Sequence, residues 1–396
     1  MDEEHAKSAS SLPFDASHLD RLMDAADIDV LVATSKHNIQ YLLGGYRFFF
    51  FDTMDAIGTS RYLPALVYVK GRPEKAAYFG AALENYEKAL GRFWPQHLDL
   101  AGTGSISTGR RVLAYLKTLG PLKRIAVESG FIPADAEAVL RGGVSSEIVD
   151  GVEVLERLRA RKTRQEIIYL REASERVVQS MLAVFRKYCA PGTSKFEVAE
   201  AMRRQEVNRG LVFDYLLVTA GTSLNRAPSD QRLAHGDIIS LDSGGNFKGY
   251  IGDLCRMGIV GGRPDAELED LLAFVDEVQQ AVRKPIAPGR RGGDICEIGD
   301  QLVAASQHAR YMHFQAHGMG LVTHEAPRLM DTPRLSYTGY DKERALEPGM
   351  VISIETTMAH PKRGFIKLED TILVTAGGHE ALGDGGRGWN AAAMLR

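Results

Sequence analysis

Cysteine is scarce: Cys189, Cys255 and Cys296 are the only three in 396 residues. They lie far apart and show no Cys-x-x-Cys spacing, which excludes a disulfide framework and a cysteine zinc knuckle. Long apolar runs are also missing. A membrane-spanning helix needs about 18 consecutive apolar residues. The two most hydrophobic stretches, Tyr46–Phe51 and Leu63–Val69, are short and are broken by Arg47 and Pro64. Met1–Leu12 is polar, without the apolar centre of a secretory signal, so a cytoplasmic location is expected and no membrane contact. A surplus of one charge sign is absent too. Lys and Arg total 48 against 51 Asp and Glu, whereas nucleic-acid binders usually carry a basic excess, so no nucleic-acid partner is expected. The remaining composition, 44% apolar and 25% charged, is that of an ordinary globular chain and excludes a disordered or collagen-like one. At roughly 100–200 residues per domain, the length suggests two or three domains.

The first 150 or so residues alternate between helical and strand-like segments. Leu19, Leu22, Met23 and Ala26 recur at helical spacing, and Val30–Ala33 reads as a strand. Two β-rich runs, Ala65–Lys70 and Ala76–Phe79, are parted by Gly71-Arg72-Pro73; a helix near Arg110–Leu119 precedes a strand at Ile125–Glu128. Such alternation predicts a mixed sheet flanked by helices. A boundary falls near Val149–Arg161. Thr163 with Glu166 then forms a capping box for a long helix to about Tyr188, Ala190-Pro191-Gly192 ends it, and Thr193 or Ser194 caps the next.

The rest of the chain carries a faint internal repeat: helix, Ala-Pro-Gly, helix, strand, hairpin. One copy passes Ala190-Pro191-Gly192 and ends near Asp242 and Asp253; the other passes Ala287-Pro288-Gly289 and ends near Glu355 and Glu369. Gly236–Asp242 (GDIISLD) echoes Gly349–Glu355 (GMVISIE). In the first hairpin, a turn centred between Phe247 and Lys248 would set Asp242 directly opposite Asp253. In the second, a turn near Lys362 sets Glu355 opposite Glu369. Facing residues on antiparallel strands are about 4.5–5.5 Å apart at Cβ, and two carboxylates so close repel unless a cation or a shared proton lies between them. His317, flanked by glycines at 318 and 320, is a fifth candidate ligand, and His324 follows seven residues later. Four carboxylates and an imidazole suit a pair of divalent ions such as Mn, Fe or Co, with Zn also accommodated. Two such ions about 3.5–4 Å apart can share a bridging hydroxide and polarise a carbonyl.

These stretches, with Gly249–Asp253, His317–Leu321, His324-Glu325, Pro348–Val351 and Leu368–Asp370, resemble the pita-bread metallohydrolases: Xaa-Pro aminopeptidases, prolidases, methionine aminopeptidases and creatinase. The resemblance implies an α/β creatinase-like N-terminal domain over 1–155 and an α+β pita-bread catalytic domain, with an internal pseudo-two-fold repeat, over 156–396. It implies that Asp242, Asp253, His317, Glu355 and Glu369 bind two metal ions, with Asp253 and Glu369 bridging them. Glu355 would take a proton from the bridging hydroxide, and His324 would steady substrate and oxyanion. The implied reaction is cleavage of a short peptide or amide by a homodimeric Xaa-Pro-type peptidase. Alternatives within the fold are hydrolysis of a small non-peptide C–N compound, as creatinase and ectoine hydrolase do, a lyase reaction, or a non-catalytic binding role.

Two positions depart from the family. Asn225 stands where these peptidases have histidine, seventeen residues before Asp242, and cannot carry a proton at neutral pH. Lys367 stands where the family often has arginine, which keeps the charge but loses the bidentate fork. Asn225 and His324 are expected to touch substrate, and Arg47 or Arg61, in an aromatic-rich stretch, to meet a substrate carboxylate. The Gly- and Ala-rich tail from Gly383 to Arg396 is expected to be mobile.

Overall fold

The structure, a computed structural model, describes residues 12–50, 62–331 and 338–391. The chain divides into two compact units, Met1–Leu158 and Arg159–Arg396. In the first unit the order is α1 (Ala16–Ala25), β1 (Val30–Ala33), α2 (Lys36–Leu42), β2 (Ala65–Val69), β3 (Ala77–Ala81), α3 (Asn85–Ala89), β4 (His97–Gly102), α4 (Ser105–Thr118), β5 (Arg124–Val127), α5 (Ala134–Gly143) and β6 (Glu147–Asp150). The strands form one sheet in the order β4-β3-β2-β1-β5-β6. It is mixed: β1 runs antiparallel to β2 and parallel to β5. Its apolar face, including Val30, Val32, Val67, Phe79, Ile125 and Val127, packs against Val112 and Leu116 of α4 and Ala136 and Leu140 of α5. α6 (Val152–Ala160) runs through the division.

The second unit contains α7 (Arg164–Tyr188), α8 (Lys195–Asn208), β7 (Val212–Ala220), β8 (Ile238–Phe247), β9 (Tyr250–Ile259), α9 (Ala266–Arg283), α10 (Gly292–Ala305), β10 (Met312–Gly318), β11 (Val351–His360), β12 (Gly364–Thr375), β13 (Gly378–Leu382) and β14 (Asn390–Ala391). Thr163 caps α7 in a reciprocal box with Glu166, and Ser194, not Thr193, caps α8 in a second box with Glu197. The sheet order β10-β11-β12-β9-β8-β7 reads the same from both ends: each half contributes three strands and two helices, and the halves meet where Glu369 on β12 faces Cys255 on β9. This is the pita-bread architecture, with its internal repeat.

Alternation along the strands explains why the centre of this sheet is polar. Ile352, Ile354, Leu368 and Ile372 point one way into a core shared with α9 and α10, and Ile239, Leu241 and Leu254 do the same against α7 and α8. The intervening residues, among them Ser240, Asp242, Ser353, Glu355, Lys367, Glu369 and Thr371, line the opposite face, yet they are buried too. A buried polar face must find its partners within the protein or in a ligand.

Two expectations are corrected. The first hairpin turns at Lys248 and Gly249, with φ 56° and 97°, and Asn246 Oδ1 accepts the Gly249 N–H at 2.7 Å. The turn is thus centred one residue later than expected, so Asp242 faces Cys255 and Asp253 faces Gly244. The tail is anchored over 383–391, where it was expected to be loose. Arg256 donates to the carbonyls of Gly383 and Gly385, Trp389 Nε1 to Leu268 O, and β14 pairs with β9. Among the described residues no helix is long and apolar enough to cross a membrane.

Candidate metal centre

Two neighbouring rungs of the second sheet carry the chemistry. One runs Asp242, Cys255, Glu369, Glu355 and Gln315 across β8, β9, β12, β11 and β10, each residue opposite the next. The other lies two residues along each strand, hence on the same face. It holds Tyr215 opposite Gly244, Gly244 opposite Asp253, Thr371 opposite Ser353, and Ser353 opposite His317. Lys367, two residues before Glu369, joins this face from a third rung.

The carboxylate oxygens divide into two sets. Lys367 Nζ lies 2.7 Å from Asp242 Oδ2, 2.5 Å from Glu355 Oε2 and 2.8 Å from Glu369 Oε2. Arg226 adds a second cation to Asp242 Oδ2. The other oxygens face histidine: His317 Nε2 is 3.2 Å from Glu355 Oε1 and 3.9 Å from Glu369 Oε1. Gln315 also donates to Glu355 Oε1, Ser353 Oγ donates to Glu369 Oε1 at 2.8 Å, and the Tyr215 hydroxyl donates to Asp253.

Crowding of like charge in a buried place sets the protonation preferences. Burial and the charge on Asp242 push Asp253 up to about 7. Burial and the charges of Asp253 and Glu355 raise Glu369 well above the carboxylate range. Burial alone would raise Glu355 as well, but the Lys367 ammonium and the His317 ring hold it well below its ordinary value. Burial opposes charge on His317, yet its bond to Glu355 and the nearby carboxylates raise it. His324 stacks on His317 with ring centroids 3.8 Å apart and 17° between planes. Burial and the charge on His317 push it down to about 3, so it is a neutral imidazole.

The remaining expected site residues are placed as follows. Asn225 is exposed and its side chain turns back on its own loop, where Oδ1 accepts the Ala227 N–H at 3.0 Å. Its neighbour Arg226 is the residue that enters the centre. Arg47 is half-buried in the first unit, and Arg61 lies outside the described residues. Sequence reasoning also missed Tyr215 and the reach of Lys367. The latter had a signal, since residues two apart on a strand share a face.

The pattern of metallopeptidase family M24 matches residues 169–376, more than half of the chain, and that of the creatinase/prolidase N-terminal domain matches residues 16–161. The chain belongs to metallopeptidase family M24. Among its M24 relatives, the Xaa-Pro dipeptidase of Pyrococcus horikoshii is 25% identical over 372 residues, 91% of this chain and 94% of that protein. The uncharacterized peptidase YqhT of Bacillus subtilis is 28% identical over 269 residues, 66% of this chain and 73% of that one. In fold, the chain is similar to the Xaa-Pro dipeptidase from Bacillus anthracis, with a TM-score of 0.77 at 22% identity over 96% of this chain and 99% of that one. It is also similar to the prolidase from P. horikoshii, with a TM-score of 0.75 at 23% identity over 93% and 97%.

M24 membership implies divalent metal ions, and the donor set fits them. Donor atoms of Asp253, His317 and Glu369 lie within 4.8 Å of one another, and so do those of His317, His324 and Glu355. His317 Nδ1 is 3.2 Å from the Gly318 carbonyl, the kind of contact that turns the other ring nitrogen of a ligating histidine toward its metal. A cation among these oxygens would relieve the repulsion that raises Asp253 and Glu369.

Proposed function

We propose that this M24 metallopeptidase is an Xaa-Pro-type peptidase acting on short peptides, with its metal ligands drawn from Asp242, Asp253, His317, Glu355 and Glu369. The buried Asp253–His317–Glu369 cluster carries the reading, because its donor atoms converge on one point and the carboxylate repulsion there is what a further cation would relieve. Oxygen donors with one imidazole suit Mn, Fe or Co, and accommodate Zn. Such an ion, when bound, supplies Lewis acidity toward water and a carbonyl oxygen.

The chain's own residues do the rest. Glu355, held ionised by Lys367 and His317, accepts the proton of the attacking water and can return it to the leaving proline nitrogen. His324, neutral and adjacent, offers an N–H to the oxygen of the tetrahedral intermediate. A reducing cytoplasm, with which three free, buried cysteines agree, and a homodimer, which the family resemblance implies, complete the reading. Within it Arg47 or Arg61 meets a substrate carboxylate, and an unchanged KM for Arg61→Ala on an anionic substrate would remove Arg61.

The test is release of free proline from Xaa-Pro dipeptides by protein loaded with Mn or Co. Activity is expected with metal, to vanish with a chelator, and to fall by about 10²–10⁴-fold in kcat for Glu355→Gln. A second reading, hydrolysis of a small C–N compound, draws on one observation: Asn225 faces away and Arg226 stands at the centre instead. Metal-loaded protein that leaves dipeptides intact but hydrolyses a small amide would favour it.

A further inference from the structure

Two cations meet Asp242 Oδ2, and they differ in what else they can reach. Lys367 Nζ also contacts Glu355 Oε2 and Glu369 Oε2, and its side chain is 4% exposed. Arg226 touches the carboxylate with a single guanidinium nitrogen, Nη2, and its side chain is 36% exposed. Its Nε and Nη1 meet no acceptor among the described residues. The Phe365 ring lies 5.1 Å from the guanidinium carbon. Lysine is a point charge, whereas arginine presents a planar edge of several donors, and here part of that edge is open and unspent.

The backbone that carries Arg226 is pinned. Val218 N–H donates to the Arg226 carbonyl at 2.8 Å, Lys195 Nζ donates to the Asn225 carbonyl at 2.6 Å, and the Ala227 N–H donates to Asn225 Oδ1. The same loop packs on the β11–β12 turn so closely that a Cβ at Gly364, where φ is 86°, would lie 2.1 Å from the Gly221 carbonyl oxygen. Once Asp242 serves as a metal ligand, the guanidinium loses its anion, and a partly buried cation needs another. Bond lengths limit which anion fits. From a scissile carbonyl carbon to the next carbonyl or carboxyl carbon of the leaving residue the path is C–N, N–Cα and Cα–C, so the two lie within about 4 Å. In a dipeptide that second group is a carboxylate. In a longer peptide it is a neutral amide.

We propose that Arg226 determines specificity by binding the α-carboxylate of the leaving residue, so that the enzyme takes dipeptides with a free C-terminus in preference to longer peptides. This rests on the Xaa-Pro reading above and narrows its substrate class. The carboxylate contact passes from Arg47 or Arg61 to Arg226, whose donors suit the two oxygens of a carboxylate. Asn225, turned into its own loop, contributes only the carbonyl by which Lys195 holds that loop in place.

The test uses full-length protein loaded with Mn(II). Cleavage of Ala-Pro is compared with that of Ala-prolinamide and Ala-Pro-Ala, calorimetry compares binding of proline and prolinamide, and elemental analysis counts bound metal. The wild type is expected to favour the free carboxylate by roughly 10–100-fold in kcat/KM and in affinity, the range for a charge-assisted hydrogen bond. Arg226→Met is expected to abolish that preference, with KM for Ala-Pro rising more than kcat falls and the metal retained. If Arg226→Met does not fold, Arg226→Lys, which keeps a charge beside Asp242 and loses the planar fork, carries the same comparison. Equal handling of acid and amide by the wild type would overturn the inference. So would a variant that loses metal in step with activity, since Arg226 would then act only through Asp242. If no dipeptide is cleaved while proline still binds in preference to prolinamide, the Xaa-Pro reading falls and the carboxylate site stands.

Discussion

Tyr215 reaches Asp253 across a glycine. The two side chains are on β7 and β9, with Gly244 of β8 between them. A Cβ at Gly244 would lie 2.2 Å from Tyr215 Cε1, so the ring lies in the space that the missing side chain leaves. Burial and the carboxylates around it push the Tyr215 hydroxyl well above its ordinary range, so it stays a donor and orients Asp253. Losing a group that orients a metal ligand typically costs 10–100-fold in metal affinity. Tyr215→Phe should weaken Mn(II) binding by about that factor, and Gly244→Ala should do so while also lowering the melting temperature. Calorimetric titration checks both; an unchanged affinity in Tyr215→Phe removes the orienting role.

Much of this is legible in the amino-acid sequence alone. The Thr163–Glu166 box begins α7 as expected because capping is local chemistry. The Glu355–Glu369 pairing was also legible, because a loop centred on Lys362 fixes the register. The Asp242–Asp253 pairing failed for an equally local reason. Lys248 takes a left-handed backbone conformation beside Gly249, a place seldom filled by lysine, and one step in the turn moves the partner by two. Arg226 was hidden because Asn225 sits in a turn that binds its own loop. The tail looked mobile because composition does not show that Arg387 finds Asp370, 2.5 Å away and next to Glu369.

That ion pair has a consequence for the centre. Arg387 also binds Asp276 of α9, and it neighbours Arg256, which donates to the Glu369 carbonyl at 2.7 Å. Removing the arginine leaves Asp370 buried with one cation fewer. Arg387→Ala should therefore destabilise the second unit by about 3–5 kcal/mol, as for other broken buried pairs, and loosen metal binding through Glu369. Urea denaturation of the loaded protein measures the first effect, and a loss under 1 kcal/mol would show that the tail merely lies on the surface.

Glu325 tests the support beneath His324. It is buried between Lys162 Nζ at 2.8 Å and Arg159 Nη2 at 2.9 Å, and those charges hold its carboxyl below the ordinary range against the effect of burial. Glu325→Ala would remove the carboxylate that both buried cations share. The expected loss is again about 3–5 kcal/mol, with kcat falling more than KM rises because the adjacent His324 loses its setting. A variant with wild-type melting temperature would contradict the burial argument.

Glu206 gives a pH dependence that does not involve the metal ligands. It lies on α8, fully buried, with burial and the nearby Asp214 pushing it up to about 8. The hydrogen-bond count agrees with a protonated acid. Ser243 Oγ is 2.8 Å from Glu206 Oε1 and 2.9 Å from the Tyr215 carbonyl, but a serine has a single proton to give. If Glu206 carries a proton it donates to Ser243, and Ser243 donates to Tyr215. Oε2 has no partner among the described residues, which suits a neutral carboxyl better than an anion. In the unfolded chain a glutamate ionises near pH 4.3. Between roughly pH 4 and pH 8 the folded state therefore binds the extra proton, and stability falls as pH rises through that window, by an amount on the order of a few kcal/mol. Glu206→Gln keeps the shape and removes the titration. Its melting temperature should match the wild type near pH 5 and exceed it increasingly toward pH 9, in scans of the metal-loaded proteins. A difference that stays constant across that range would mean that Glu206 ionises without cost where it sits.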